Sequence, residues 1–287
     1  MDTVLTSIAA LGGLTLALGT VLAAAARLFY VDEDPRIDMV DGMLPQANCG
    51  ACGFPGCRAF AEALVSQKSE PVKCTVSSDL DRQNIASYLG VAAGTAHRKV
   101  ARLACAGGTN AAYQHALYRG LSSCRAASMV GGAGKSCSWG CLGLGDCQVV
   151  CNFNAIHMSP FRLPVVHEAR CTACGDCVDI CPKDLFSLQT ESRRLWVACK
   201  SQEEGDRVLE VCEVGCTACG KCAMDAPDLV HMDGPLPVID MTLPHSHKNA
   251  TERCPTGAML WMGTNGPEYG AEAPRLRRKE ALPPRSA

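Results

Sequence analysis

The chain has 287 residues, a formal charge of −2 and only 5% aromatic residues. The near-neutral balance excludes the broad basic footprint that nucleic acid requires, so no nucleic-acid partner is expected. The scarcity of aromatics argues against one large conventional core. The informative number is 20 cysteines. Many fall in C-x2-C-x2-C runs, which crowd thiols too closely for a relaxed disulfide net but suit wrapping one metal centre. Thiolate centres last best in a reducing compartment, so most of the chain is expected on the cytosolic side.

Residues 3–26, TVLTSIAALGGLTLALGTVLAAAA, carry no charge. About 20 apolar residues cross the hydrocarbon core as a helix. Ala9, Gly13 and Ala17 recur at four-residue spacing, which suits close packing against a partner helix. A cleaved signal peptide is the rival reading. It requires a positive segment before the apolar run, and Asp2 is the only side-chain charge there. An uncleaved anchor over 1–30 is therefore expected, in contact with membrane lipid. Arg27 after the span favours that end facing the cytoplasm. VDEDPRIDMVDG reads as a polar linker.

Within 31–90 comes ANCGACGFPGC, then Cys74, giving Cys49-x2-Cys52-x4-Cys57-x16-Cys74. Its glycines and Pro55 let the backbone turn tightly around a bulky centre. Phe60, Ala61 and Leu64 at helical spacing predict a short helix beside the site. Four thiolates also suit zinc, and this spacing alone does not separate zinc from a [4Fe–4S] cluster. The neighbouring motifs favour the cluster. Residues 91–135 read as a connecting region. GGAGKS within it ends like a phosphate loop, but Met129 stands where the first glycine is required, so a plain turn is expected.

Residues 136–190 hold two runs. Cys171-x2-Cys174-x2-Cys177-x3-Cys181-Pro182 is a complete bacterial ferredoxin run, whose fourth cysteine ligates the other cluster of a pair. The partner run upstream is a variant, Cys137-x3-Cys141-x5-Cys147-x3-Cys151, with Leu144 at the middle cysteine position. The crossover assignment is Cys137, Cys141, Cys147 and Cys181 on one cluster, and Cys171, Cys174, Cys177 and Cys151 on the other. NAIHMS, FRLPVVHEA and LFSLQ are expected to form short strands. The fold class is then α+β, a pseudo-twofold ferredoxin-like unit enclosing two cubanes.

Residues 191–262 repeat the pattern with losses. Cys216, Cys219 and Cys222 are followed by Ala226-Pro227, and a second run would end at Cys254-Pro255. Crossover joins Cys216, Cys219, Cys222 and Cys254, all present. The other set falls on Ala226, Pro244, His247 and Ala250, all lost. One complete cluster is therefore expected to be missing, with His247 a solvated loop residue. Cys124-x12-Cys137-x3-Cys141 recurs as Cys199-x12-Cys212-x3-Cys216, which supports duplication. Four [4Fe–4S] clusters use sixteen cysteines and leave Cys105, Cys124, Cys199 and Cys212. Spare buried thiols are the plainer reading, although a fifth site is arithmetically possible. Residues 263–287, with RLRRKEALPPRSA, read as a flexible tail.

No catalytic constellation, dinucleotide fingerprint or flavin site is evident. Several one-electron centres behind a membrane anchor describe a wire serving a membrane complex. The apolar span, ANCGACGFPGCRAFAEAL with Cys74, CSWGCLGLGDCQVVCNFNAI and CTACGDCVDICP together resemble the B subunits of Rnf (Rsx) ion-translocating electron-transport complexes. The likeness covers nearly all of residues 1–262. It implies an electron-transfer protein of an oxidoreductase on the cytoplasmic face of the inner membrane. Such a protein relays electrons between soluble ferredoxin or flavodoxin and the NADH-handling C subunit. The A, D, E and G subunits couple that flow to Na+ or H+ movement. The residues after 199 resemble the longer members of the family and depart from a full cluster pair at Ala226, Pro244, His247 and Ala250. A polyferredoxin subunit of a hydrogenase or formate dehydrogenase is the alternative.

Overall fold

The N-terminal apolar run forms one helix, α1 (Asp2–Leu28), in a computed structural model that describes residues 2–29, 33–95, 97–264, 266–271, 273 and 278–283. Its portion Leu5–Leu28 is long and apolar enough to cross a membrane, and the rest of the described chain covers none of it. Leu14, Leu18 and Leu22 are exposed, a cost in water that a lipid environment removes.

The stretch expected as a polar linker folds from residue 35 onward. Asp34 accepts the Arg36 backbone N–H at 2.9 Å and caps α2 (Pro35–Met43), which has proline at its first position. The apparent polarity hid one apolar position that matters, because Val40 is wholly buried. With Leu44 it packs against Phe60 and Leu64 of α3 (Cys57–Val65) and Ile85 of α4 (Asp79–Leu89). The α3 helix is the one the sequence spacing predicts. Ser78 and Asp81 form a reciprocal capping box that starts α4. Three short helices thus close a small core of their own, and Cys52, Cys57 and Cys74 border it.

Two α+β units follow. The first comprises β1 (Lys99–Leu103), α5 (Cys124–Met129), α6 (Asp146–Val150), β2 (Ile156–Met158), β3 (Pro164–Val166), α7 (Asp176–Asp179) and β4 (Phe186–Thr190). β1 pairs antiparallel with β4, Leu103 opposite Phe186, and β2 pairs with β3, Ile156 opposite Val166. The strands expected at NAIHMS, FRLPVVHEA and LFSLQ are therefore present. Residues 91–135 do more than connect, since they supply β1, the closing strand of this unit.

The second unit comprises β5 (Leu195–Val197), α8 (Asp206–Val211), α9 (Lys221–Asp225), β6 (Val230–Asp233), β7 (Leu236–Ile239), α10 (Asn249–Glu252), β8 (Met259–Gly263) and β9 (Gly266–Glu268). β5 pairs with β8, and β6 with β7. This reproduces the outer pair and inner hairpin of the first unit, with β9 added beyond β8. A two-stranded pair is marginal alone, so the first unit does not stand on its sheets. Each gains its core from residues around the cysteines, such as Ile156, Phe186, Cys147 and Cys177 in the first.

The two units are tied directly. Trp196 Nε1 donates to the Leu103 carbonyl at 2.9 Å, and the Ala106 N–H donates to the Ala198 carbonyl at 3.0 Å. Part of the expected tail is also held. Arg278 pairs with Glu213 at 2.9 Å and the Leu282 N–H donates to the Thr109 carbonyl at 2.8 Å. Residues 274–277 and 284–287 of that tail lie outside the described residues.

Candidate iron-sulfur sites

The first cavity belongs to the N-terminal module and is lined by Cys49, Cys52, Cys57 and Cys74. Gly50 and Gly53 both adopt positive φ, which lets the loop wrap the cavity without steric cost. Asn48 Oδ1 accepts the Cys57 N–H at 2.8 Å and fixes the loop against the start of α3. Ser77 Oγ lies 3.1 Å from Cys74 Sγ as a donor.

The second cavity brings together Cys141, Cys147 and Cys181. The fourth cysteine on its wall is Cys124. Cys137, expected there from the sequence, lines a different cavity. The physical reason lies in α5. Ser123 Oγ donates to Asp146 Oδ2 at 2.9 Å, tying the start of α5 to the start of α6, which carries Cys147. That brings Cys124 to the wall, while Leu144, in the slot of the missing motif cysteine, packs with Cys124 around Ala127, Ala133 and Leu142. Local spacing pointed to Cys137 because it precedes Cys141 by only four residues. Cys124 is 17 residues upstream, and only the fold reveals its approach.

The third cavity is lined by Cys151, Cys171, Cys174 and Cys177. The Ala155 N–H points to Cys151 Sγ and the Ala101 N–H to Cys171 Sγ, each at 3.4 Å. The fourth is lined by Cys216, Cys219, Cys222 and Cys254. The Met259 N–H lies 3.4 Å from Cys254 Sγ, as the Leu185 N–H lies 3.5 Å from Cys181 Sγ. Backbone donors aimed at sulfur favour the thiolate and tune any bound cluster.

A fifth cavity is lined by Cys105, Cys137, Cys199 and Cys212, together with Lys135 and Trp139. All 20 cysteines therefore fall into five sets of four, and every one is a free thiol. No disulfide competes for them.

At two of the positions where cysteines are expected to be missing, the described residues pack instead. Ala226 and Ala250 are each 1% exposed and sit in one apolar cluster with Leu195, Leu229, Val230, Ile239 and Met259. His247 lies at the edge, its Nε2 3.5 Å from Asp228 Oδ2. Nearby His245 is buried and accepts the Leu195 N–H on Nδ1 at 3.0 Å. Burial holds its pKa below the ordinary value, so it acts there as a neutral acceptor.

The donor chemistry fits [4Fe–4S] clusters. Four thiolates on one zinc ion at about 2.3 Å would stand only about 3.8 Å from one another. Among the described residues no three cysteine, histidine or carboxylate groups converge tightly enough for a single ion. Burial, then the neighbouring cysteines, pushes Cys147 and Cys177 up to about 12. Burial followed by the charge of Cys105 does the same for Cys141 and Cys212. Such thiols ionise when a cation sits among them, so cluster binding there releases protons.

Comparison with known proteins agrees with this chemistry. An Fe-S cluster family model matches residues 44–76, and a 4Fe-4S dicluster domain model matches residues 137–186. The chain is 38% identical to the B subunit of the ion-translocating oxidoreductase complex of Methanosarcina acetivorans, over 77% of this chain and 84% of that protein. It is 35% identical to the B subunit of the proton-translocating ferredoxin:NAD(+) oxidoreductase complex of Clostridium ljungdahlii, over 90% of this chain and 93% of that protein. It is 38% identical to the B subunit of the Na(+)-translocating ferredoxin:NAD(+) oxidoreductase complex of Acetobacterium woodii over 75% of this chain, a match that spans 65% of that longer protein. With two cysteine-rich family models matched and relatives covered over most of their length, the chain belongs to the B-subunit family of Rnf-type ion-translocating oxidoreductase complexes, and its cofactors are [4Fe–4S] clusters.

Proposed function

We propose that this chain is the electron-relay subunit of a membrane-bound, ion-translocating oxidoreductase. It passes electrons between soluble ferredoxin or flavodoxin and a partner protein that handles NADH. Its remaining partners are the integral subunits that move Na+ or H+, those lettered A, D, E and G in the family, with the C subunit as the NADH-handling one. α1 anchors it in lipid, with the cysteine-bearing part on the cytoplasmic side.

The observation that carries this reading is the close succession of four-cysteine cavities. Cys147 of the second cavity and Cys177 of the third border one apolar core. A [4Fe–4S] cluster, when bound, supplies reversible one-electron transfer. The chain's part is to hold such centres close together, exclude water around them and aim backbone N–H groups at their sulfurs. For this role the ligand sets are Cys49, Cys52, Cys57 and Cys74; Cys124, Cys141, Cys147 and Cys181; Cys151, Cys171, Cys174 and Cys177; and Cys216, Cys219, Cys222 and Cys254. The two electrons and one proton that convert NAD+ to NADH are combined on the partner.

The test is anaerobic mixing of the full-length chain, in detergent, with reduced ferredoxin. Electron uptake bleaches the broad iron–sulfur absorption near about 400 nm. Absence of bleaching, with ferredoxin still reduced, sinks the relay reading. Protease protection in inverted against right-side-out vesicles checks the side: the soluble part is cleaved only in the inverted ones.

A further inference from the structure

Cys105, Cys137, Cys199 and Cys212 have no role in the relay as proposed so far, yet they converge on one cavity. Cys105 follows the end of β1 by two residues, and Cys199 follows the end of β5 by two. Cys137 precedes Cys141 by four, and Cys212 precedes Cys216 by four. Each α+β unit therefore donates the same pair of cysteines, from equivalent positions, to a shared cavity on the line between them. Four unrelated spare thiols would not be expected to obey that symmetry.

Lys135 is the independent observation. It is 8% exposed and lines the same cavity. Its Nζ donates to the carbonyls of Gly107 and Cys141, the latter at 2.8 Å. Among the described residues no carboxylate forms an ion pair with it; the ion pairs of the structure involve other cations. A buried ammonium without a countercharge is costly. Neutral thiols leave that charge unbalanced, whereas a cluster with four thiolates is an anion and balances it. The cavity also has a glycine cradle. A Cβ on Gly107 would stand 2.9 Å from Cys212 Sγ, and one on Gly140 would stand 3.1 Å from Lys135 Nζ and 3.4 Å from Cys137 Sγ. Backbone donors reach the sulfurs here too: the Cys141 N–H lies 3.4 Å from Cys105 Sγ and the Ser201 N–H 3.5 Å from Cys199 Sγ.

We infer that Cys105, Cys137, Cys199 and Cys212 ligate a fifth [4Fe–4S] cluster at the junction of the two α+β units. This deepens the relay reading, on which its role rests. The junction site touches the second set through Cys105 and Cys141. It approaches the fourth set through Gly215, which lines the junction cavity and directly precedes Cys216. The order along the two units is then third set, second set, junction, fourth set. Each centre takes up one electron and passes one on, with no bond made or broken. Without the junction the fourth set is a terminus with no neighbour.

Anaerobic native mass spectrometry of the full-length chain in detergent tests this, paired with iron, acid-labile sulfide and zinc analysis. The heaviest loaded species is expected to carry five clusters, about 20 iron atoms. The double variant Cys199→Ala/Cys212→Ala is expected to carry four. Four clusters in the wild type, five in both proteins, or a zinc ion that the double variant loses would each overturn the inference. Because the double variant can lose its fold with the site, Lys135→Met is the second arm. It is expected to retain five clusters and to lower the midpoint potential of one, since removing a nearby cation disfavours the added electron. Five clusters with every potential unchanged would overturn the place of Lys135 at the junction. Cluster counting needs neither ferredoxin nor NAD+. A five-cluster chain that ferredoxin cannot reduce sinks the relay and leaves the site standing; a four-cluster chain that ferredoxin reduces does the reverse.

Discussion

The two α+β units share their strand pairing and differ in what fills the space between strands and helices. In the first, Cys151, Cys171, Cys174 and Cys177 surround a cavity. In the second, the equivalent place holds Ala226 and Ala250 inside an apolar cluster. The same backbone frame thus tolerates either a four-cysteine cavity or ordinary hydrophobic packing. Where the first unit places four cysteines, the second buries small aliphatic groups, with His245 as a neutral acceptor nearby.

The strongest way to break this comparison is to remove one ligand from each unit. Cys177→Ala and Cys254→Ala are each expected to lose one cluster, about four iron atoms, from their own unit. Iron analysis of the full-length chain checks this, and an unchanged count in Cys254→Ala would remove Cys254 from the fourth set. Cys124→Ala belongs to the same experiment, since the expected loss of the second-set cluster separates Cys124 from Cys137 as its ligand.

Next in size is Ala250→Asp. It places a carboxylate in an apolar core with no counter-ion and is expected to cost about 3–5 kcal/mol. Denaturant unfolding followed by Trp196 and Trp261 fluorescence reads it. A change below about 1 kcal/mol would mean the second core is open to water.

His245 provides a smaller, pH-dependent effect. Its folded pKa is depressed, so the folded state favours neutral imidazole. The stabilisation is present above the unfolded value of about 6.5 and is lost as pH falls from there toward the folded value. His245→Ala also leaves the Leu195 N–H without its acceptor, at a cost of about 1–3 kcal/mol. The variant is expected to flatten the acid dependence of unfolding; an unaltered pH profile excludes His245 as its source.

The smallest effect sharpens the comparison best. Ala226→Cys restores one thiol at the lost site and is expected to leave the iron count unchanged, because its three partners are Pro244, His247 and Ala250. Stability should move by less than about 1.5 kcal/mol. A gain of iron would show that the second core still accepts a cluster.

The sequence carried the ferredoxin-type runs within 137–186, because their spacing is periodic and local. Phe60, Ala61 and Leu64 predicted α3 for the same reason. What it hid was long-range. Cys124 reaches the second cavity through a Ser123–Asp146 hydrogen bond that no spacing encodes. Matching Cys124 to Cys199 by the shared x12 interval was misleading: position relative to the strands pairs Cys199 with Cys105. α2 was obscured by its charges, since only Val40 of its nine residues is buried. Lys135 sat in a stretch read as a plain turn. The turn is there, a short 3-10 segment at Gly132–Gly134, but the buried ammonium after it had no local signature.

The symmetric donation of cysteines at the junction also bears on how the protein is made. A chain ending near residue 190 would lack six cysteines yet forfeit two centres, because Cys105 and Cys137 would be left as half a site. Cofactor insertion at the junction must wait until the C-terminal unit has been synthesised and docked. Metal loading there becomes a checkpoint of assembly: a nascent or clipped chain can be filled in its N-terminal parts, but only a finished one can be wired through to its end.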